Sequence, residues 1–441
     1  MKPHSAISAQ HREVTAKSVA AFFAVLLLMF WSVTHLDLRS DGRLQVTSPR
    51  VIDGDEPHYL LVLNSILFDH DLELQDDYLR AQHGLDAGGV PLFAHHSIIV
   101  NRKTGRHGIW FQHRWDRDLG PGPDVYEVSS HPVAYPLLLA ALLAPFHPKM
   151  SEVQGEASVV MVIICWLGAV FTYLLARKVG MDRGYALFAT AVLAFASPWL
   201  AYTRSYYSEP PIGLFTTIAL YALEAGNPIF AATAAAIAGI FKPPFFLIGG
   251  GFAIALLLEK RWRDVSVTVV TVGLFAVALM TFNYWLSRTP IISGNGTGPW
   301  PFGSDTARDF RVLEDTLIGS SHGLFTWTPW TILALVSIGS AFWSGSTSTR
   351  LLREMFFPIV LYLALLGASN FGPGACYGPR YWVPFLPWMA VAAIDRFRLA
   401  GATWRLIFVV LLIAGAPISI VGALRYPQMF SRPPWLLLPW K

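Results

Sequence analysis

Residues 157–183 read ASVVMVIICWLGAVFTYLLARKVGMDR. From Ala157 to Ala176 no side chain carries a charge, and a helix rising about 1.5 Å per residue over that run matches a hydrocarbon core of about 30 Å. Arg177, Lys178 and Arg183 follow at once, the basic flank expected of a short cytoplasmic loop. Similar runs recur near 18–36, 184–203, 210–225, 228–241, 244–258, 265–286, 324–343, 355–370, 381–395 and 404–424, so the pattern predicts about eleven spans. Of the 441 residues 54% are hydrophobic and 14% charged, and mean hydropathy is +0.44. A soluble chain of this balance would expose a very large apolar surface, so the fold class is an all-α polytopic membrane protein. Many of the 16 tryptophans sit near run ends, where an interfacial aromatic belt places them.

Charge asymmetry sets the orientation. With the N-terminus inside, Lys2, Arg12 and Lys17 are cytoplasmic. So are Arg177, Lys178 and Arg183; Lys260, Arg261 and Arg263; Arg350 and Arg353; and Arg396, Arg398 and Arg405. Only the inner turn EAGNP at 224–228 lacks a cation. The organisation read from this is a cytoplasmic tail at 1–17, a first span at 18–36, a long outer loop at 37–156 and spans two to seven at 157–286. A second outer loop at 287–323, spans eight to eleven at 324–424 and an outer tail at 425–441 complete it. No small-residue cleavage site follows the first run, which reads as a retained span with a signal peptide as the alternative. PVAYPLLLAALLAPF at 132–146 breaks the pattern: if it crossed, every later loop would change sides, so it should lie at the outer interface or re-enter. Trp435 and Trp440 would anchor the tail on the outer leaflet. The two cysteines, Cys165 in a span and Cys376 in a loop, indicate neither a disulfide framework nor a thiolate metal site.

In this topology the unusual polar clusters all fall outside: DGDEPHY at 53–59, SSHPVAYP at 129–136, TRSYYSEPP at 203–211, FKPP at 241–244, the loop 287–323 ending at SSHGLF, and GPGACYGPRYW at 372–382. Ionisable groups at a membrane interface are costly and mark sites. Each also has a plainer reading. Asp55 or Glu56 suits a cap for the helix that Pro57 opens, although one cap does not need the three acids Asp53, Asp55 and Glu56. Glu209, before Pro210 and Pro211, suits a cap too, and Lys242 and Arg380 suit snorkelling anchors. His58, His131 and His322 lack metal-ligand spacing and read as hydrogen-bonding residues. Asp69, Asp71, Asp76 and Asp77 read as a solvated face of an outer segment built of short helices with a few strands or turns. The loop 287–323, with SGNGTGPWPFG at 293–303, reads as a lid over a cavity or as a flexible connector.

At these residues the chain resembles the GT-C superfamily of membrane glycosyltransferases, in particular the branch of aminoarabinose transferases and protein O-mannosyltransferases. DEPHY (55–59) resembles their Asp-Glu pair on the first outer loop; HPVAYPLLLAALL (131–143) resembles a juxtamembrane proline segment in which the frequent Lys is His131 here. YSEPP (207–211) and YGPRYWVPFLP (377–387) resemble an acid–proline signature after the third span and a late Gly-Pro-Arg-Tyr segment. The resemblance implies a polyprenyl-phosphate sugar donor, a lipid-linked, glycan or protein acceptor, and inversion at the anomeric carbon. Carried over, Asp55 is the catalytic base with Glu56 beside it, Glu209 a second acid of the cavity with Asp53 lacking a clear counterpart, and Arg380 a phosphate ligand. Lys242 substitutes for the contact put in doubt at His131, Tyr381 adjoins the phosphate site, and His58 and His322 lie on substrate loops. Such a transfer needs a carboxylate to take the acceptor's proton and cations to hold the departing phosphate. Asp55 and Glu209 are hard oxygen donors that Mg²⁺ or Mn²⁺ would accept if a metal takes part. The implied setting is a bacterial inner membrane with the site on its outer face, the bilayer as partner and no nucleic acid. A secondary transporter, a lipid carrier or a non-catalytic scaffold of the same fold are the rival readings. Against transport stand the lack of an internal repeat and the gathering of charge at the interface instead of the midplane.

Overall fold

The computed structural model describes residues 14–39, 41–51, 54–82, 96–111, 124–292, 306–340, 349–368, 376–426, 429 and 432–437. Asp53, Lys2, Arg12, Trp440 and the glycine-rich stretch 293–303 lie outside the described residues.

The chain enters through α1 (Ala16–Thr34), whose N-cap Thr15 accepts from the Ser18 N–H. A small antiparallel hairpin follows, β1 (Leu36–Leu38) with β2 (Leu44–Val46). The long loop then supplies α2 (Glu56–Asn64), α3 (Gln75–Gln82), and a three-stranded antiparallel sheet of β3 (His96–Asn101), β4 (His107–Phe111) and β5 (Val125–Ser129) in the order β4-β3-β5. The all-α expectation is corrected here: five short strands lie in this loop, where hairpin pairing gives backbone groups their partners without a long helix. Next come α4 (Ala134–Leu143), α5 (Val153–Lys178), α6 (Arg183–Phe195), α7 (Trp199–Tyr202), α8 (Glu209–Glu224), α9 (Pro228–Phe241), α10 (Phe246–Leu258) and α11 (Trp262–Ser287). The chain ends in α12 (Thr306–Ile318), α13 (Leu324–Trp327), α14 (Thr331–Gly339), α15 (Thr349–Gly367), α16 (Leu386–Leu399) and α17 (Ala402–Leu424).

Each of the eleven apolar runs contains helix, but prolines divide two of them: Pro198 separates α6 from α7, and Pro329 separates α13 from α14. Among the described residues α1, α5, α11 and α17 are by length and composition sufficient to cross a membrane, and the protein is an integral membrane protein. The remaining helices are shorter or, like α15 with Arg350, Arg353 and Glu354 in its first two turns, carry more charge. The run at 132–146 forms α4 and a 3₁₀ turn ending at Phe146, thirteen helical residues that rise only about 20 Å, and it packs on α2, α5 and α9. The second outer loop is not all flexible chain, since α12 packs against α15, and Trp382 Nε1 donates to the Thr316 carbonyl at 3.1 Å.

Two glycines fix how the helices that carry the site meet. Trp199 is fully buried, donates Nε1–H to the Cys165 carbonyl at 3.0 Å, and lays its ring across Gly168 of α5 and Gly213 of α8. A Cβ at Gly168 would sit 2.4 Å from that ring and one at Gly213 2.9 Å from it, so only glycine admits the indole there. The wedge holds residues 203–208 at the start of α8. At the opposite end of α8 the basic loops meet: Arg183 donates to the Val14 carbonyl, Arg398 to the Gly180 carbonyl, and Arg350 lies among Glu224, Glu259 and Glu354.

Candidate active site

Arg380, in the 3₁₀ turn Arg380–Phe385, is the hub. Its Nε donates to Glu209 Oε1 at 2.7 Å, and its Nη2 is hydrogen-bonded to Asp55 Oδ2. Lys242, the residue that ends α9, donates Nζ–H to the same Glu209 oxygen at 2.8 Å. His131 brings Nδ1 to 3.7 Å from Asp55 Oδ2. Five segments, bearing Asp55, His131, Glu209, Lys242 and Arg380, thus converge on one charged cluster. The Arg380 and Glu209 side chains are 4% and 1% exposed, while Asp55 and Lys242 each keep 21%, so a ligand meets those two first.

The simple capping and anchoring readings fail on geometry. Gly54 takes φ +69°, turning the chain so that Asp55 stands at the N-cap of α2, yet its side chain makes no cap bond and turns to Arg380 instead. Glu209 is in the first turn of α8 with both following positions proline, so few N–H groups remain for it to cap, and it takes two cations. Burial favours the neutral form of Asp55, but the Arg380 guanidinium, His131 and Lys242 outweigh it and hold the carboxyl well below the usual carboxylate range. Asp55 is therefore an ionised acceptor at neutral pH. The second oxygen of Glu209, Oε2, is buried with no hydrogen-bond partner among the described residues.

Glu56 does a different job from its neighbour. Its Oε1 accepts from the Tyr206 N–H at 3.2 Å and from the Tyr426 hydroxyl at 2.9 Å, tying the segment before α8 and the chain after α17 to the start of α2. Tyr381 sits beside Lys242, with Nζ 5.4 Å from its ring centroid. His58 Nδ1 is 2.8 Å from the Tyr78 hydroxyl, and its ring lies 4.9 Å from that of His131. His322 lies elsewhere, half-buried between α12 and α13; burial pushes its pKa down against the pull of Asp315, and no contact among the described residues joins it to the Arg380 cluster. Asp77 departs from the solvated face expected of it: it is buried, and burial with the Asp76 and Asp69 carboxylates pushes its pKa up to about 7.

Residues not singled out from the sequence complete the cluster. The Tyr207 ring lies under the guanidinium of Arg380, 4.1 Å from its carbon, and the Tyr59 hydroxyl is 3.3 Å from Ser208 Oγ. Behind them buried Arg204 binds Asp37 and donates to the Leu36 carbonyl at 2.8 Å and the Ala423 carbonyl at 2.9 Å. Tyr207 stands two residues before Glu209 in a stretch read only for its acid, so proximity was the available signal. The prolines that follow Lys242 in the chain, Pro243 and Pro244, line a cavity of about 260 Å³ together with Leu247, Leu279, Met280 and Leu365, with apolar walls.

Asp55 and Glu209 lie on one guanidinium, and among the described residues no three His, Cys, Asp or Glu side chains converge as a metal site. The arrangement can exchange anions, because each carboxylate on a cation is replaceable by a phosphate oxygen, and it can accept a proton at Asp55.

No protein-family model and no curated protein matches the chain. Two solved structures do: ArnT from Cupriavidus metallidurans bound to undecaprenyl phosphate, at TM-score 0.53 and 12% identity over 96% of this chain and 76% of that one, and the same protein in the apo state, at TM-score 0.52 and 13% identity over 95% and 75%. At such identity the likeness is one of fold, and the chain has the GT-C-like fold of ArnT.

Proposed function

We propose that the protein is a membrane glycosyltransferase that moves a sugar from a polyprenyl-phosphate donor to a lipid-linked, glycan or protein acceptor on the outer face of the membrane, with inversion. The observation that carries this reading is the single guanidinium of Arg380 shared between Asp55 and Glu209, with Lys242 on the same glutamate. An entering donor phosphate competes for Arg380 and Lys242. Arg offers it a planar fork and Lys a point charge. Asp55, released from Arg380, is then free to take the proton of an acceptor hydroxyl or amine. The bond from the acceptor to the anomeric carbon forms as the bond from that carbon to the phosphate oxygen breaks, the proton passes to Asp55, and polyprenyl phosphate departs with its growing charge held by the two cations.

Two further observations support the reading. The apolar cavity lined by Pro243 and Pro244, just after Lys242 in the chain, offers an isoprenoid chain a place, and one structural neighbour is bound to undecaprenyl phosphate. Orientation follows the charge rule: Arg183, Arg398 and Arg350 gather at the end of the molecule away from Arg380, as cytoplasmic loops should.

The test is binding of undecaprenyl phosphate to purified protein in nanodiscs, read by native mass spectrometry, with Arg380→Ala and Lys242→Ala beside the wild type. Loss of specific binding in either variant is expected. Wild-type binding no tighter than that of an ordinary phospholipid would remove the transferase reading in favour of a transporter or scaffold.

A further inference from the structure

We propose that His131 is a titratable third cation of the phosphate site, so that binding of the donor's phosphate is coupled to uptake of one proton by its imidazole. The inference rests on the transferase reading and goes beyond it, because it adds a proton to the binding equilibrium.

The fixed charges of the cluster cancel. Arg380 and Lys242 face Asp55 and Glu209, two cations against two carboxylates, and buried Glu56 adds a further carboxylate nearby that is bound by Tyr206 and Tyr426. A phosphodiester brings one more negative charge and can bind only by drawing Arg380 away from Asp55 or by adding positive charge. His131 is placed to supply that charge. Its Nδ1 is 3.7 Å from Asp55 Oδ2, its side chain is 5% exposed, and its backbone N–H donates to Ser129 Oγ at 2.9 Å at the end of β5. Once phosphate takes Arg380, protonated His131 is the cation that remains beside Asp55. Charge attraction in a water-poor site then favours the imidazolium.

His58 limits the uptake to one proton. Its ring lies 4.9 Å from that of His131 at 33°, so two imidazolium ions would repel at close range. His58 is the positioning residue: Tyr78 of α3 holds its Nδ1 at 2.8 Å, with Glu127 and Asp77 around that tyrosine, and Tyr59 presents its ring edge to His131 from the same helix. Among the described residues, the charged and titratable groups around the pair include Asp55, Tyr59 and Tyr78, with Arg380 and Lys242 acting on Asp55 and with Glu127 and Asp77 behind Tyr78.

The probe is the methyl ester of undecaprenyl phosphate, a phosphodiester whose single charge is constant between pH 5.5 and pH 8.5. Calorimetry of wild-type protein in nanodiscs, in two buffers of different ionisation enthalpy, is expected to show uptake approaching one proton per ligand bound. Affinity should fall at least about tenfold from pH 6 to pH 8, the slope that one linked imidazole imposes. His131→Gln should bind weakly with no such slope, and His131→Lys, which fixes the charge, should bind tightly at both pH values. Wild-type binding with no proton uptake overturns the proposal while leaving the transferase reading intact. A slope that persists in His131→Gln overturns the assignment to His131. Absence of binding at every pH overturns both readings together.

Discussion

Glu209→Gln tests the cluster at its most buried point. The substitution keeps shape and removes one charge, leaving Arg380 with Asp55 alone and Lys242 with no carboxylate among its hydrogen-bond partners. Glu209 is 1% exposed and Arg380 4%, so the orphaned charges gain little from water. Breaking a buried pair from one side costs about 3–5 kcal/mol. For 441 residues at about 2.1 cal/mol/K each, a cost of that size lowers the unfolding midpoint by roughly 3–5 °C. A membrane protein keeps much of its helix on unfolding, which lowers the entropy and makes that shift a lower bound. The assay is tryptophan fluorescence on heating in detergent. A second arm adds undecaprenyl phosphate at 100 times the variant's Kd, which should restabilise the variant by about 2.7 kcal/mol. A midpoint within 1 °C of wild type would refute the reasoning, because Glu209 would then not be what compensates the two buried cations.

Asp55→Asn should abolish sugar transfer, measured as release of polyprenyl phosphate from a donor lipid, while the protein still elutes as a monodisperse peak; turnover at the wild-type rate would remove Asp55 as the base. Asp77, raised from its ordinary value to about 7, contributes stability that is full below about pH 4 and lost as pH rises through 7, so Asp77→Asn should raise the thermal midpoint at pH 8 and change it little at pH 4, and an equal shift at both would show that its ionisation is not linked to folding. Gly168→Ala places a methyl 2.4 Å from the Trp199 ring and should cost about 1–3 kcal/mol, seen as a lower midpoint; an unchanged midpoint would mean that the indole moves aside freely.

Much of this molecule is legible in the sequence because a membrane imposes a coarse rule. Uncharged runs of the length at 157–176 have few options but helix, and the cations at 177–183 and 396–398 flank them in a pattern that the contacts of Arg183 and Arg398 at one end of the molecule repeat. Glu209, Lys242 and Arg380 stand out for the same reason, each being ionisable and next to proline and an apolar run, and Asp55 stands out as one of three acids before the helix that Pro57 opens. What they do to one another does not show, since a guanidinium joining residues 55 and 209 is a fact of three-dimensional packing. Adjacent acids are also hard to separate on paper: successive helical residues point about 100° apart, and so Asp55 meets Arg380 while Glu56 meets Tyr206 and Tyr426. A few strands are expected in the outer segment, but the sequence does not locate those at 96–129, because their runs are five or six residues long and lack the regular alternation that would mark them.

The separation of Asp55 from Arg380 along the chain bears on how the protein is made. They are 325 positions apart, and Tyr426 follows Glu56 by 370. Synthesis proceeds from the N-terminus at about 5–20 residues per second, so the acids at 55 and 56 exist for roughly 15–65 s before their arginine is made and longer before their tyrosine. During that interval neither carboxylate has the partner that later compensates it, and the loop bearing them must stay hydrated outside the nascent bundle. Closure of the cluster is thus a late event of biogenesis, and a chain cut short before residue 380 carries Asp55 and Glu209 without the arginine that joins them.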